Sequence, residues 1–535
     1  MSFRIFDEDQ PMKTTLLFLS VFLSAGLFGQ NVDIPDATFK SYLLGNSNIN
    51  TNNDAEIQYS EANSFQGNID VKYLYITNLT GIEAFINLDS LNCYQTYLTN
   101  LDLSQNINLK YLEFGGWNTN FTTIDLSQNI NLEFLRYTST SIESLDLTLN
   151  TKLEFVDINS NNLSHLDVSG LSFLSWLDLS PGSMLTLDAS ACTSLTHFGF
   201  SQSYAMESAD FSGCISLEYL DIQAGLTHLY IAGCGALKTL NCNWNQLTDL
   251  DISTNNALED LYCCDNELTN LNVSNHSNLS WLQCDNNQLD TLDLSENIML
   301  TGLYCGGNHL TDLDLSENIM LTGLYCGGNQ LTNLDLSENT MLTSLYCSEN
   351  QLTNLDLYQN IALESLYCSF NDLTSLDLSH NEDLFLVYCD NNQLTGLDVS
   401  ENKGLYILHA YANQLNCLNI ANGESLCFYN LRLQDNPSLN CIEVDYLPFL
   451  PAYPNNCQLP NHLLDIPNSG YSVDCSNSCS NSHPEQSCFV GIDELMNTNK
   501  TLIKIFDYLG RETSFKPNTP LIYVYDDGSI EKVFS

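Results

Sequence analysis

The chain has 535 residues, 44% of them hydrophobic, which is ample for a large core and too long for one ordinary globular domain. Its 15 Lys and Arg against 65 Asp and Glu leave a formal charge of -50. That excludes nucleic acid as a partner and disfavours anionic membrane surfaces, because both need clustered cations. It fits a solvated extracellular surface, or one that recruits metal ions.

From Met12 the sequence MKTTLLFLSVFLSAGLFGQ sets one Lys before an apolar run, Leu16 to Phe28, and then small and polar residues. This is the pattern of a secretory signal peptide, too short to span a membrane comfortably. The polar segment ahead of it makes Met12 the expected start and residues 1–29 the expected leader. No later stretch is long and apolar enough to cross a bilayer.

Residues 30–73 are predicted to be a cap that shields the apolar edge of the first repeat. Within them Asn50, Asn52, Asp54, Glu56 and Glu61, with Ile57 at the eighth position, resemble an EF-hand calcium loop. The first ligand is Asn rather than Asp, and Ala55 stands where the sharp turn needs Gly. The alternative is a polar turn entering a helix that starts near Ser60.

Periodicity then takes over. Residues 321–341 read LTGLYCGGNQLTNLDLSENTM and residues 342–362 read LTSLYCSENQLTNLDLYQNIA, a period of 21. The same slot is held by Leu250, Leu271, Leu292 and onward to Leu418 without error, and upstream by Leu101 to Leu229 with steps of 20 to 23, giving sixteen copies. Each copy has two halves, LxxLxCxxNxL and LxxLxLxxN. In each, LxC or LxL points two apolar side chains inward and the middle one outward, the alternation of a β-strand. The Asn comes where the chain must turn, and its amide can bond backbone groups that the turn leaves unpaired, so Asn245 to Asn413 should stack as a ladder.

On these motifs residues 74–445 resemble the nested 21-residue class of leucine-rich repeat found in internalin-like bacterial surface proteins, some of which carry a cysteine in the third apolar slot. The resemblance implies a right-handed solenoid with a parallel β-sheet on its concave side. The LYC half, which alone fits the full eleven-residue consensus, is expected on that side. The LDL half is expected on the convex side as short strands or tight turns.

The cysteines sort by position. Cys242, Cys263, Cys284, Cys305, Cys326, Cys347, Cys368 and Cys389 fill one inward slot, with Cys93 in an early copy. They read as small buried hydrophobes, since stacked Cβ vectors point the same way rather than at each other. Cys192, Cys214 and Cys234 replace Asn in the LDL half; Cys264 belongs to no group. Cys417, Cys427, Cys441, Cys457, Cys475, Cys479 and Cys488 gather near the end of the repeats, where an exported protein places cap-stabilising disulfides.

Residues 446–490, rich first in Pro and then in Ser and Asn, read as cap and linker. Residues 491–535 shift to an all-β pattern, TLIKIFDYLGRE and LIYVYDDGSIEKVF, and hold five of the basic residues. The IKIFDYLGRE strand-turn and the final strand pair with its late Lys resemble the C-terminal sorting domain of Bacteroidetes type IX secretion substrates. That resemblance implies an export address read by secretion machinery.

No GxSxG, HExxH, Walker or strand-flanked GxGxxG motif is present, and the nine His are scattered. Two outward ladders remain. Thirteen Asp, from Asp102 and Asp125 to Asp377 and Asp398, occupy the outward slot of the LDL half. Tyr262, Tyr304, Tyr325, Tyr346, Tyr367 and Tyr388 occupy that of the LYC half, with Asn241, Gln283 and His409 in register. The expected protein is therefore a leucine-rich-repeat solenoid with a small C-terminal β domain, secreted or held on the outer cell surface. It would present a tyrosine-lined face to an extracellular protein or glycan, with calcium as the only candidate cofactor. A surface spacer without a ligand, and a glycan-acting enzyme, are the alternatives.

Overall fold

A computed structural model describes residues 30–116, 121–159, 162–180, 182–190, 192–200, 205–423 and 428–444, and the strands at 470–472, 502–507, 520–525 and 530–534. The expected leader, Cys427 and the cysteines from Cys457 to Cys488 lie outside these residues. Two units are distinguished, residues 1–484 and 485–535.

The first unit opens with a helix at Ala37–Leu44. The Asp36 carboxylate caps it, accepting the N–H groups of Thr38 and Phe39 at 3.0 and 3.1 Å. Phe39 and Leu43, four residues apart, bury one face of the helix. A second helix spans Tyr59–Ser64, one residue ahead of the start near Ser60 that the sequence predicts.

The repeats form a parallel β-solenoid. Strands of three to five residues pair in one sheet of 18, from Asn68–Asp70 to Asn430–Arg432. That is one strand beyond the sixteen counted copies at each end. The register is coil on coil: Leu324 pairs Leu345, which pairs Leu366. Leu342, Leu345, Cys347, Leu352, Leu355 and Leu357 of a single coil are all buried, and neighbouring coils supply the surfaces they meet.

From the strand Thr239–Asn241 to the strand Ile407–His409 the chain turns after each strand through one left-handed residue just ahead of the ladder Asn. Glu349 has φ 56°, Phe370 55° and Asn391 54°, and the GG pair of the central repeats puts Gly307 and Gly328 at 62° and 66°. The Asn behaves as expected. Asn350 Nδ2 donates to the carbonyls of Cys326, Cys347 and Ser348 at 3.1 to 3.3 Å, and its Oδ1 accepts the Leu331 N–H at 3.0 Å.

The LDL half takes both of the forms expected. It makes short strands at Ser144–Asp146 to His165–Asp167, at Thr186–Asp188 to His228–Tyr230, and from Gly396–Asp398 to Gly470–Ser472. From residue 249 to 395 it runs as turns. Its own Asn ladder is continued by other donors. Cys192, Cys214 and Cys234 donate Sγ to carbonyls of the preceding coil at 3.1 to 3.5 Å, and His276 Nε2 lies 3.1 Å from the Ile252 carbonyl in the same place.

The strand-side cysteines, Cys93 included, are free and buried, and desolvation pushes their thiols up, to about 12 at Cys242 and Cys326. Cys264 also has a role: its Sγ donates to Asp285 Oδ2 at 3.3 Å. Cys417 and Cys441 are disulfide-bonded. In the second unit Leu502–Asp507, Pro520–Tyr525 and Ile530–Phe534 form an antiparallel sheet. Among the described residues no helix is long and apolar enough to cross a membrane.

Candidate functional site on the long sheet

Each strand of the 18-stranded sheet has two outward positions, one on either side of a buried central residue that is most often Leu. The pairings stack them into two columns. In the C-terminal half the column after the Leu is aromatic. Tyr304, Tyr325, Tyr346, Tyr367 and Tyr388 stack with ring centroids 4.0, 4.1, 4.0 and 4.7 Å apart and planes within 18° of parallel. His409 comes next at 4.2 Å, edge-on. Tyr262 stands apart from this run, because Gln283 occupies the rung between it and Tyr304.

The rings point outward as the alternation requires, yet each is half-buried, because its faces are covered by its neighbours. What reaches solvent is a ribbon of ring edges and hydroxyls. Desolvation raises the phenol pKa of Tyr304 and Tyr346, and the adjoining phenols add to it. The column before the Leu is small here, Gly302, Gly323, Ser344 and Ser365. A Cβ on Gly302 would come within 2.5 Å of the Trp281 ring, and one on Gly323 within 3.5 Å of Tyr325. The rings lean over the space that these small residues leave.

The N-terminal half reverses the pattern. There the column before the Leu is aromatic: Tyr111, Phe134, Phe155, Trp176, His197 and Tyr219 stack at 4.2, 4.5, 5.9, 3.5 and 4.6 Å. Beside it the other column reads Glu113, Arg136, Asp157, Asp178, Gly199 and Asp221. Sequence reading missed this row. Its signal was present as a four-residue pattern, aromatic, apolar, acid, apolar, in YLEF, FVDI, WLDL and YLDI. Its middle, Phe134 to His197, keeps the step of 21, and only the steps of 23 from Tyr111 and 22 to Tyr219 depart from it.

The Asp ladder lies in the other half of the coil. Every one of the thirteen accepts the N–H of the residue two ahead, at 2.8 to 3.1 Å. This bond holds the carboxyls of Asp102, Asp314 and Asp335 below their usual range. The ladder is thereby accounted for as turn chemistry.

In the EF-hand-like loop the three carboxylates are engaged by the protein itself, whereas Asn50 Oδ1 is buried without a hydrogen-bond partner among the described residues. Glu61 Oε1 accepts from Thr51 N, Thr51 Oγ1 and Asn52 N, and its Oε2 accepts from Gln58 N. Asp54 bonds Asn52, Glu56 and Gln58, Glu56 pairs with Lys40 at 2.7 Å, and Asn50 Nδ2 donates to the Leu44 and Asp54 carbonyls. Among the described residues no three His, Cys, Asp or Glu side chains converge as a metal group.

No protein-family model and no curated protein matches the chain. Solved structures of similar fold do. The functional domain of InlJ from Listeria monocytogenes, which includes a cysteine ladder, is 26% identical over 74% of this chain and 79% of that one, with TM-score 0.46. The protein LIC12759 of Leptospira interrogans is 21% identical over 74% and 93%, with TM-score 0.45. YopM of Yersinia enterocolitica is 19% identical over 82% and 100%, with TM-score 0.47.

Proposed function

We propose that this is an extracellular binding protein that docks another protein on the face of its long sheet. The observation that carries the reading is the unbroken stack from Tyr304 to Tyr388. A row of aromatic side chains on one open face suits recognition, since Tyr buries much area, loses little entropy and keeps a hydroxyl for hydrogen bonding. The geometry favours protein over glycan. A sugar ring packs on an aromatic face, and here neighbouring rings cover those faces at 4.0 to 4.7 Å. Ring edges and hydroxyls suit the polar and apolar mosaic of a polypeptide surface.

The spacer reading also has an observation behind it: stacked rings strengthen a parallel sheet by themselves. Replacing Tyr325, Tyr346 and Tyr367 together with Thr, a good strand former, separates the two. The triple variant and the parent are applied to protein and glycan arrays. The expected result is protein binding by the parent, weakened at least about tenfold in the variant, about 1.4 kcal/mol. Unchanged attachment with a lowered melting temperature would assign the stack to structure, and attachment to glycans alone would overturn the choice of partner. Delivery to the cell surface through the leader and the sorting tail belongs to the same reading and rests on their resemblance.

A further inference from the structure

The acidic column of the N-terminal half holds one cation of its own. Arg136 stands between Glu113 and Asp157 in the strand register. Its Nε donates to Asp157 Oδ2 at 2.9 Å, and its Nη1 lies 3.8 Å from Glu113 Oε1. Further along, the same column reads Asp178, Gly199, Asp221. Again two acids flank the middle rung, but this rung has no side chain. Gly199 lies in regular paired strand, so its backbone does not demand glycine. A Cβ there would stand 2.4 Å from Asp178 Oδ1, so the Asp178 carboxylate leans over the glycine.

Neither Asp178 nor Asp221 has an ion-pair partner among the described residues. Asp221 accepts only neutral donors, Gln223 Nε2 at 3.1 Å and the Tyr219 hydroxyl at 3.4 Å. Burial raises its carboxyl pKa, and the Asp178 charge adds to the rise. The neighbouring ring supplies no counter-charge, because burial lowers the His197 pKa.

We infer that the Gly199 rung is an arginine-binding site, where a guanidinium of a partner protein enters over Gly199 between Asp178 and Asp221 as Arg136 sits between Glu113 and Asp157. The inference rests on the protein-docking reading and names the chemistry of one contact. A guanidinium is a planar fork with donors on both edges and can bridge two carboxylates, whereas an ammonium is a point charge. Trp176, His197 and Tyr219 line the site on the adjoining column.

The test is fluorescence anisotropy of labelled tri-arginine and tri-lysine peptides on the full chain at physiological ionic strength. Tri-arginine is expected to bind about tenfold more tightly than tri-lysine, a factor that D178N/D221N and G199R should each remove. G199R should keep its melting temperature, because its own guanidinium fills the gap once the Asp178 carboxylate swings aside. D314N/D335N removes the same charge from the turn side and should leave tri-arginine binding unchanged. So should the triple Tyr variant, which keeps failure of the Tyr-stack reading distinguishable from failure here. Equal binding of the two peptides, tri-arginine binding that survives both site variants, or its displacement by millimolar calcium would overturn the assignment.

Discussion

From Asn245 to Asn413 one asparagine per coil closes the turn behind the strand, and its loss is the sharpest single-residue test of the fold. Asn350→Ala would leave the buried Leu331 N–H without its partner and take one of two donors from each of the carbonyls of Cys326, Cys347 and Ser348, which keep Asn329 Nδ2, Asn371 Nδ2 and Gly328 N. The expected cost is about 1–3 kcal/mol, read as a fall in the urea midpoint. A truncation at this site that left the midpoint unmoved would mean that water replaces the amide. The titrating residues set a pH window. The carboxyls of Asp102, Asp314 and Asp335 titrate lower in the native chain than the usual 3.8, so the unfolded chain binds more protons in acid. Their contribution is present above that value and is lost as the pH falls through their native values. The buried thiols act at the other end. Cys242 and Cys326 move from 9.0 to about 12, so their contribution is present below 9 and is lost as the pH rises toward 12. These groups should therefore lower the melting temperature in acid below 3.8 and in base above 9. A flat profile through pH 10 would contradict the buried-thiol account.

At the scale of elements, the two outward columns complement each other from Tyr111 to Asp221 and from Gly302 to Tyr367: where one is aromatic, the other is small or charged. Gly302→Val tests this packing, because its Cβ would come within 2.5 Å of the Trp281 ring. The indole must move, at a cost of about 1–3 kcal/mol. A shift in Trp emission with a lower melting temperature is expected; an unchanged spectrum would mean that the ring does not lie over the glycine. The columns also explain what could be read in advance. From Leu250 to Leu418 the step is always 21, so counting alone fixes the outward slot and makes the Tyr row visible. Between Leu101 and Leu229 the step varies from 20 to 23. In the aromatic row Phe134, Phe155, Trp176 and His197 keep the step of 21 and are open to counting, whereas Tyr111 and Tyr219, 23 and 22 residues away, join them only through strand pairing. His276 likewise reads as a scattered histidine in the sequence, although it holds the place of Asn297 one coil earlier. The half-burial of the Tyr rings is beyond reach for another reason: alternation gives direction, and only the spacing of the rings shows that each covers its neighbour.

For the whole molecule, the charge of -50 belongs to a surface that meets cationic partners quickly and loses that advantage in salt. Much of it is already used within the coil, since the thirteen ladder Asp hold their own turns. Melting temperature should accordingly be the same in millimolar calcium and in chelator, and a clear rise with calcium would mean that an oxygen site forms at the expense of these bonds. Residues 491–535 include a separate antiparallel sheet, so their removal should leave solenoid stability unchanged. In the natural host that truncation should also strand the protein in the periplasm; normal surface display would remove the sorting role from the tail. The claim on which the functional account turns is that a protein partner sits on the long-sheet face. Hydroxyl-radical footprinting of the chain with and without the protein partner identified on the array tests it most directly. The account expects Tyr325, Tyr346 and Tyr367 to become protected while Tyr358, Ile298 and Ile319, exposed elsewhere on the coils, stay reactive. Protection of those three residues, with labelling of the stacked tyrosines unchanged, would contradict it.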